Sequence, residues 1–321
     1  MSTRSSAAAA PGAVAVPRRR RPWRDVATRR LPAYALLLPT AVVIGGVLAY
    51  PIYFLVRLSF ERYDLFELIR HEGVWIGVAN YTELLHDSEF WHVVTRTLVF
   101  TAVNVALTMV LGTLVALLLA HLGGFMRLLL GTALIFVWAT PVVVAVSVWQ
   151  WMVDFQFGVA NWTLTKLHFG DFIRHDWFEN PWSGFGVITA LVVWGAIPFV
   201  AITLYAGLTQ VPRELLEAAS IDGAPGWRVF RDVTFPLLKP IFVILTSLSI
   251  IWDFQVFNQV WLMRSATPEQ DYYLMSVYSF TESFRVSRFG YGATIAIVMV
   301  VTMFLVAFVY IRQMVKMGEV Q

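Results

Sequence analysis

Asp253 sits where a carboxylate is hardest to accommodate. It lies in Ile250-Ile251-Trp252-Asp253-Phe254-Gln255-Val256-Phe257-Asn258-Gln259, polar side chains set between aromatics inside an apolar stretch. An ionisable group at membrane depth is expensive, and it faces a bundle interior or a wet cavity. At helical spacing Ser249, Asp253 and Val256 share a face with Trp252. Two roles fit that face equally: contact with a transported solute, or a structural hydrogen bond to a neighbouring helix. A second concentration of polar residues, Leu216 to Pro240, is a loop of helix-forming character between two apolar stretches. Such a loop has no packing reason to exist unless something docks on it. Other chemistries find no support. The six histidines, among them His71, His86, His92 and His121, form no H-x-x-x-H pattern, and cysteine is absent. None of Lys166, Lys239 and Lys316 follows a glycine, so the chain lacks a phosphate-binding loop. No catalytic residue, metal site or nucleic-acid partner is expected.

The elements that must position these residues are membrane helices. The 321 residues are 58% hydrophobic and 14% charged, whereas a soluble chain carries about 25% charged residues. Six windows, at about 33–56, 94–120, 128–152, 185–208, 238–262 and 289–311, reach the roughly 20 apolar residues that a span needs. Hydrocarbon offers the backbone no partners, so these windows are predicted helices, and the alternation of a strand barrel is missing. Asp253 is thereby placed midway along the fifth span. Residues 1–30, rich in Ala, Pro and Arg, cannot bury a core and are predicted to form a disordered basic tail. Residues 31–321 then form one membrane domain. The first apolar run is too long for a signal segment and is read as a retained span. With the N-terminus inside, 15 Lys and Arg fall on the inner side and 9 on the outer. The margin comes from the tail, and this bias sets orientation. Both termini and the 209–238 loop are then cytoplasmic.

Within the loop, Pro212 suits a helix start, and Arg213 to Asp222 are good helix formers with Glu214 near the positive end of the helix dipole. Gly223 is placed to end that helix in a left-handed conformation. Pro225 can start a second short helix, and Pro236 and Pro240 bracket the beginning of the next span. On the outer side, residues 57–93 read as a short interfacial amphipathic helix with Trp75, Tyr81, Phe90 and Trp91 as belt residues. Residues 153–184 combine Trp162, Trp177 and Trp182 with Asp171, Asp176 and Glu179, a mixture that suits either an aromatic girdle or sugar contacts. The stretch Ser283 to Arg288 suggests no role. Pro198, Pro141 and Pro51 are candidate kinks.

The loop resembles, nearly residue for residue, the "EAA" coupling loop of ABC importer permeases. The resemblance rests on Glu217-Ala218-Ala219, Asp222-Gly223-Ala224, Trp227, Phe230 and Pro236-Leu237-Leu238-Lys239-Pro240. Gly77, Asn80, Tyr81, Leu84, Leu85, Asp87, Phe90 and Trp91 match a stretch of the carbohydrate branch, the maltose and glycerol-3-phosphate type. Tyr272 to Ser276 and the Arg-rich start look like actinobacterial permeases for disaccharides such as chitobiose-type sugars. The resemblance covers about residues 33–316. It implies an all-α polytopic protein of the bacterial cytoplasmic membrane, with the six-helix fold of type I importer permeases. It further implies a second, homologous permease subunit, two ATPase subunits that bind the ATP and Mg, and an extracytoplasmic sugar-binding protein. This chain itself would hold no cofactor. Glu217, Ala218, Ala219, Asp222, Gly223 and Trp227 would couple to the ATPase. Gly195, Ala196 and Phe199 of the fourth span and Ser249, Trp252, Asp253 and Val256 of the fifth would line the sugar pathway. Two departures stand out, since Asp253 replaces an amide and Val256 has lost a polar group. The alternatives are a permease of this kind for a non-sugar solute such as glycerol phosphate, and an ion-coupled secondary carrier. The carrier would need inverted repeats that are not evident here.

Overall fold

A computed structural model describes residues 36–318, with side chains to residue 313. The predicted basic tail at 1–30 lies outside the described residues. Two compact units divide between Phe54 and Leu55. The first helix, α1 (Leu36–Ser59), crosses that division and contains a π turn at Gly45–Ala49. Next come strand β1 (Glu61–Arg62), helix α2 (Leu65–Arg70), strand β2 (Val74–Trp75), α3 (Ala79–His86), α4 (Ser88–His121), α5 (Gly124–Ala139) and α6 (Val142–Met152). Beyond them lie α7 (Val159–Lys166), α8 (Pro181–Leu208), α9 (Arg213–Ile221), α10 (Gly226–Phe254) and α11 (Asn258–Met263). A 3₁₀ turn (Gln270–Tyr272), α12 (Met275–Phe280), a π turn (Thr281–Arg285) and α13 (Phe289–Gly318) complete the described chain.

Five of these helices are long and apolar enough to cross a membrane, and α5 with α6 makes a sixth if the bent pair counts as one span. The third predicted span is therefore not a single rod: α5 and α6 meet at 101°. Proline drives the residue before it out of the helical region, and Thr140 is accordingly extended (ψ 122) ahead of Pro141. The fifth span also differs from its predicted window. It begins at Gly226 and ends at Phe254, so Asp253 lies at the end of the helix and not midway. Pro198 is accommodated inside α8, which stays continuous.

α4 and α8 pack side by side. The approach is close at Gly112, where a Cβ would come 2.6 Å from Val200 Cγ1. Their outer neighbours are tied by long-range hydrogen bonds. Thr97 Oγ1 accepts the Met275 N–H at 3.0 Å, and Arg96 Nη1 donates to the carbonyls of Gln270 and Tyr273, both at 2.9 Å.

At the end where α4, α8 and α13 begin, the predicted single amphipathic helix is replaced by a two-stranded hairpin (Glu61↔Trp75, Arg62↔Val74) with α2 and α3. Phe90, expected in the interfacial belt, instead belongs to α4 and is 3% exposed in the core, while Trp75 and Trp91 are exposed as expected. Asp87 organises this end. Its Oδ1 accepts the Glu89 N–H at 2.9 Å and caps α4; Oδ2 accepts the hydroxyls of Tyr278 (2.6 Å) and Tyr291 (3.0 Å). Burial alone would push its carboxyl up, but the two hydroxyls and the N–H groups of Glu89 and Phe90 outweigh it and hold the carboxyl below its usual value. A depressed folded value means that the stabilisation is complete above the unfolded value of about 3.9 and is lost as pH falls through the folded one. Asp87→Asn should therefore cost about 1–2 kcal/mol at neutral pH. It should also flatten the acid limb of thermal unfolding measured from pH 7 to pH 3. A midpoint that tracks the unsubstituted chain throughout would show that the network adds nothing.

The stretch Ser283 to Arg288, unassigned from sequence, closes this cap. Arg288 pairs with Glu83 and with Glu282 (3.6 Å), and its guanidinium lies 4.2 Å from the centre of the Tyr291 ring. Gly290 sits against the Glu61 carbonyl, where a Cβ would clash. Gly290→Ala should lower stability by about 1–3 kcal/mol, read as a drop in melting temperature. A gain, as expected for an unconstrained helical glycine, would contradict the contact.

Candidate functional site

Two sites lie at opposite ends of α10. The first is a helical hairpin at its start. The α9 helix leaves no residue buried. Glu217, Ala218, Asp222, Gly223 and Trp227 are exposed and Ala219 is half-buried. Glu217 makes no hydrogen bond or ion pair among the described residues. The turn has the predicted glycine geometry. Gly223 has φ +74, the Ala224 N–H reaches the Ala219 carbonyl at 3.0 Å, and the Gly223 N–H reaches that of Ser220 at 3.0 Å. This is a Schellman closure, which needs a left-handed residue that glycine supplies without strain.

The second arm departs from expectation. It is not a short separate helix. From Gly226 it runs through a π turn at Phe230–Thr234 straight into the span, past Pro236 and Pro240. An aromatic series follows it inward: Trp227 to Phe230 (6.1 Å between centroids), Phe230 to Phe235 (6.3 Å) and Phe235 to Phe242 (5.0 Å). Behind the hairpin, Leu216, Ala224, Trp227 and Phe230 face Thr113 and Leu117 of α4 across an apolar cleft of about 1070 Å³.

The second site is a cavity of about 210 Å³ at the other end of α10. Six of the seven residues expected on the pathway line it: Gly195, Ala196, Phe199, Trp252, Asp253 and Val256. Ser249 does not. It is 3% exposed, buried along α10 away from this wall. Val256 reaches the cavity from beyond the helix end, so the shared helical face predicted for it does not exist. Trp138 and Thr140, at the bend between α5 and α6, also line the wall, as does Gln259. Periodicity could not reveal the first two, although Pro141 marked the break.

The cavity's surface is aromatic and sparsely polar. Phe199 stands between Trp138 (6.3 Å, stacked) and Trp252 (5.2 Å, edge-on). Pro198 lacks an N–H, which releases the Trp194 carbonyl from the helix ladder at this level. Gly195 leaves room, since a Cβ there would meet nothing within 4 Å. Asp253 is 4% exposed, and its Oδ2 has no hydrogen-bond partner among the described residues. No lysine, arginine or histidine lines the wall. Burying an unpaired polar group is unfavourable, so this oxygen is an acceptor that favours a donor from whatever occupies the space. Flat rings beside a lone acceptor suit a solute with apolar faces and hydroxyl edges.

Comparison with known proteins identifies the family and the fold. Residues 108–316 match the family described as "Binding-protein-dependent transport system inner membrane component". The chain is 41% identical over 289 residues to the diacetylchitobiose uptake system permease protein DasB of Streptomyces coelicolor, covering 90% of this chain and 88% of that protein. It is 32% identical to the sulfoquinovosyl glycerol transport system permease protein SmoG of Agrobacterium fabrum (90% and 92% covered). It is 30% identical to the trehalose/maltose transport system permease protein MalF of Thermococcus litoralis (87% and 92% covered). Among solved structures, a bacterial ABC transporter that imports alginate contains a chain that superposes with a TM-score of 0.74 at 19% identity, covering 90% of this chain and 98% of that one. At that identity the likeness speaks to the fold.

Proposed function

Since the chain belongs to the family of binding-protein-dependent transport system inner membrane components, we propose that it moves a neutral di- or oligosaccharide into the cytoplasm, driven by a separate ATPase. The observation that carries this reading is the continuity of α10. One helix of 29 residues has the exposed hairpin at its start and Asp253 at its end, about 40 Å apart at 1.5 Å per residue. A push on the hairpin is therefore delivered to the cavity wall, and the aromatic series from Trp227 to Phe242 stiffens the first turns.

The residues take roles accordingly. Glu217, Ala218, Ala219, Asp222, Gly223 and Trp227 form the knob that enters the ATPase, with the alanines allowing close backbone approach. Phe199, Trp252 and Trp138 stack on sugar faces, and Asp253 accepts hydroxyl hydrogen bonds. Ser249 takes no contact with the sugar in this arrangement. No lysine, arginine or histidine lines the wall to pair with a phosphate, which favours a sugar over glycerol phosphate. The named relatives for diacetylchitobiose and trehalose/maltose point the same way.

The assembly follows from the parts. A knob on one chain and paired ATPases call for a second permease subunit. An extracytoplasmic binding protein delivers the sugar, and ATP with its Mg sits on the ATPases alone. The hairpin faces the cytoplasm with both termini, and the cap organised by Asp87 faces outward. Purifying the complex through this chain from its host should bring down an ATPase and a homologous permease; a chain that purifies alone, or with no ATPase, sinks the reading. Asp253→Ala should lower sugar uptake by about tenfold, within the roughly 1–3 kcal/mol that losing one partner of a buried hydrogen bond costs, with assembly intact. Unchanged uptake across neutral sugars would remove Asp253 from the pathway.

A further inference from the structure

A groove of about 510 Å³ lies between the starting halves of α4 and α8, away from both sites above. Its upper rim carries His92 and Arg96, one turn apart on α4, and its floor descends over Val99, Phe185 and Gly186, with Trp182 at the edge. Arg96 is already held: Nη1 spends its donors on the carbonyls of Gln270 and Tyr273. That fixes the guanidinium while leaving Nε and Nη2 without partners among the described residues. A planar guanidinium with two spare donors matches a phosphate. No carboxylate lines the groove, and Glu89, the next acid along the helix, stands outside it.

Depth identifies the occupant. α4 has 34 residues, about 51 Å at 1.5 Å per residue, against a hydrocarbon core of about 30 Å. Some 10 Å of helix therefore protrudes at each end if it is centred. Arg96 lies eight residues below Ser88, about 12 Å, which sets it at the boundary between headgroups and hydrocarbon. Trp182 is 83% exposed at the same rim, as interfacial tryptophans are. Below Arg96 the lining turns apolar and open to the side, with Val99 52% and Val103 44% exposed. A charged rim over an apolar channel fits one phospholipid, headgroup above and acyl chain below.

We infer that this groove binds a phospholipid of net negative charge from the leaflet opposite the hairpin, its phosphate held by Arg96 and His92. A zwitterionic lipid offers the same phosphate, but its ammonium finds no acceptor here. A helix of another subunit seated in the groove would leave the guanidinium's spare donors in a dry seam.

The test is native mass spectrometry of the complex purified through this chain, equilibrated in neutral detergent with equal amounts of phosphatidylglycerol and phosphatidylcholine. The expected result is retained phosphatidylglycerol in excess of phosphatidylcholine. The preference should disappear in Gly186→Leu, where the added side chain enters space empty of atoms within 4 Å and leaves the Arg96 contacts alone. It should also disappear in Arg96→Gln. Equal retention of both lipids, a preference that survives Gly186→Leu, or displacement of the lipid by inorganic phosphate would each overturn the site. So would disulfide crosslinking of Gly186→Cys to a cysteine introduced into a second permease subunit, which the otherwise cysteine-free chain makes easy to read.

Discussion

Glu217→Lys is expected to abolish stimulation of the partner ATPase by sugar-loaded binding protein, while the chain itself accumulates in the membrane at its normal level. Glu217 is exposed on α9 and touches no charged group among the described residues, so reversing its charge costs the fold within about 0.5 kcal/mol. The effect is confined to the interface. If Glu217 meets a basic residue of the ATPase, losing that pair costs about 2–5 kcal/mol, and at about 1.4 kcal/mol per tenfold the lower figure already weakens docking roughly 30-fold. Reversal adds repulsion to that loss. The measurement is ATP hydrolysis by the reconstituted complex with and without loaded binding protein. Ordinary stimulation in the variant would mean that the hairpin does not carry the motor's force, and the role given to α10 would fall with it.

The second large effect concerns the cavity. Gly195→Leu should reduce sugar uptake to the level of membranes that lack the chain. Most glycine substitutions in packed helices disturb the fold; here a Cβ would meet nothing within 4 Å, because the glycine faces the cavity. Leucine is also a better helix former than glycine by close to 1 kcal/mol. Stability should thus hold or rise while the route is blocked, and the two readouts separate in opposite directions. Gly112→Ala serves as the contrast, because its Cβ would press on Val200 between α4 and α8 and should lower the melting temperature. If Gly195→Leu transported sugar normally, the 210 Å³ space would be a packing defect and not a passage.

Both experiments rest on a division visible in the structure between stiff and open parts. The hairpin is closed by backbone bonds and carried on a continuous helix, whereas the cavity sits at two interruptions, the bend before Pro141 and the end of α10, and beside Pro198, where the continuous α8 lacks one ladder hydrogen bond. Interrupted helices free backbone groups and leave room, and in a membrane such irregularity is tolerated where it is enclosed by protein or lines a cavity.

The local chemistry of the chain determined the parts. An apolar run of about 20 residues in hydrocarbon can satisfy its backbone only as a helix, so the spans were legible without reference to one another. The hairpin was legible for the same reason: Pro212, Gly223 and Pro225 act on their own backbones, and α9 with its left-handed Gly223 matches the expectation. Tertiary structure alone decided what these parts do together. Asp87 meets hydroxyls 191 and 204 residues away, Phe90 is core because α4 begins before it, and Trp138 and Thr140 reach the cavity wall through a 101° turn. Val256 joins Asp253 there only because the helix stops between them, and Ser249, on the uninterrupted part, turns elsewhere. Periodicity assumes a rod, and a functional cavity in a membrane is built where the rods break.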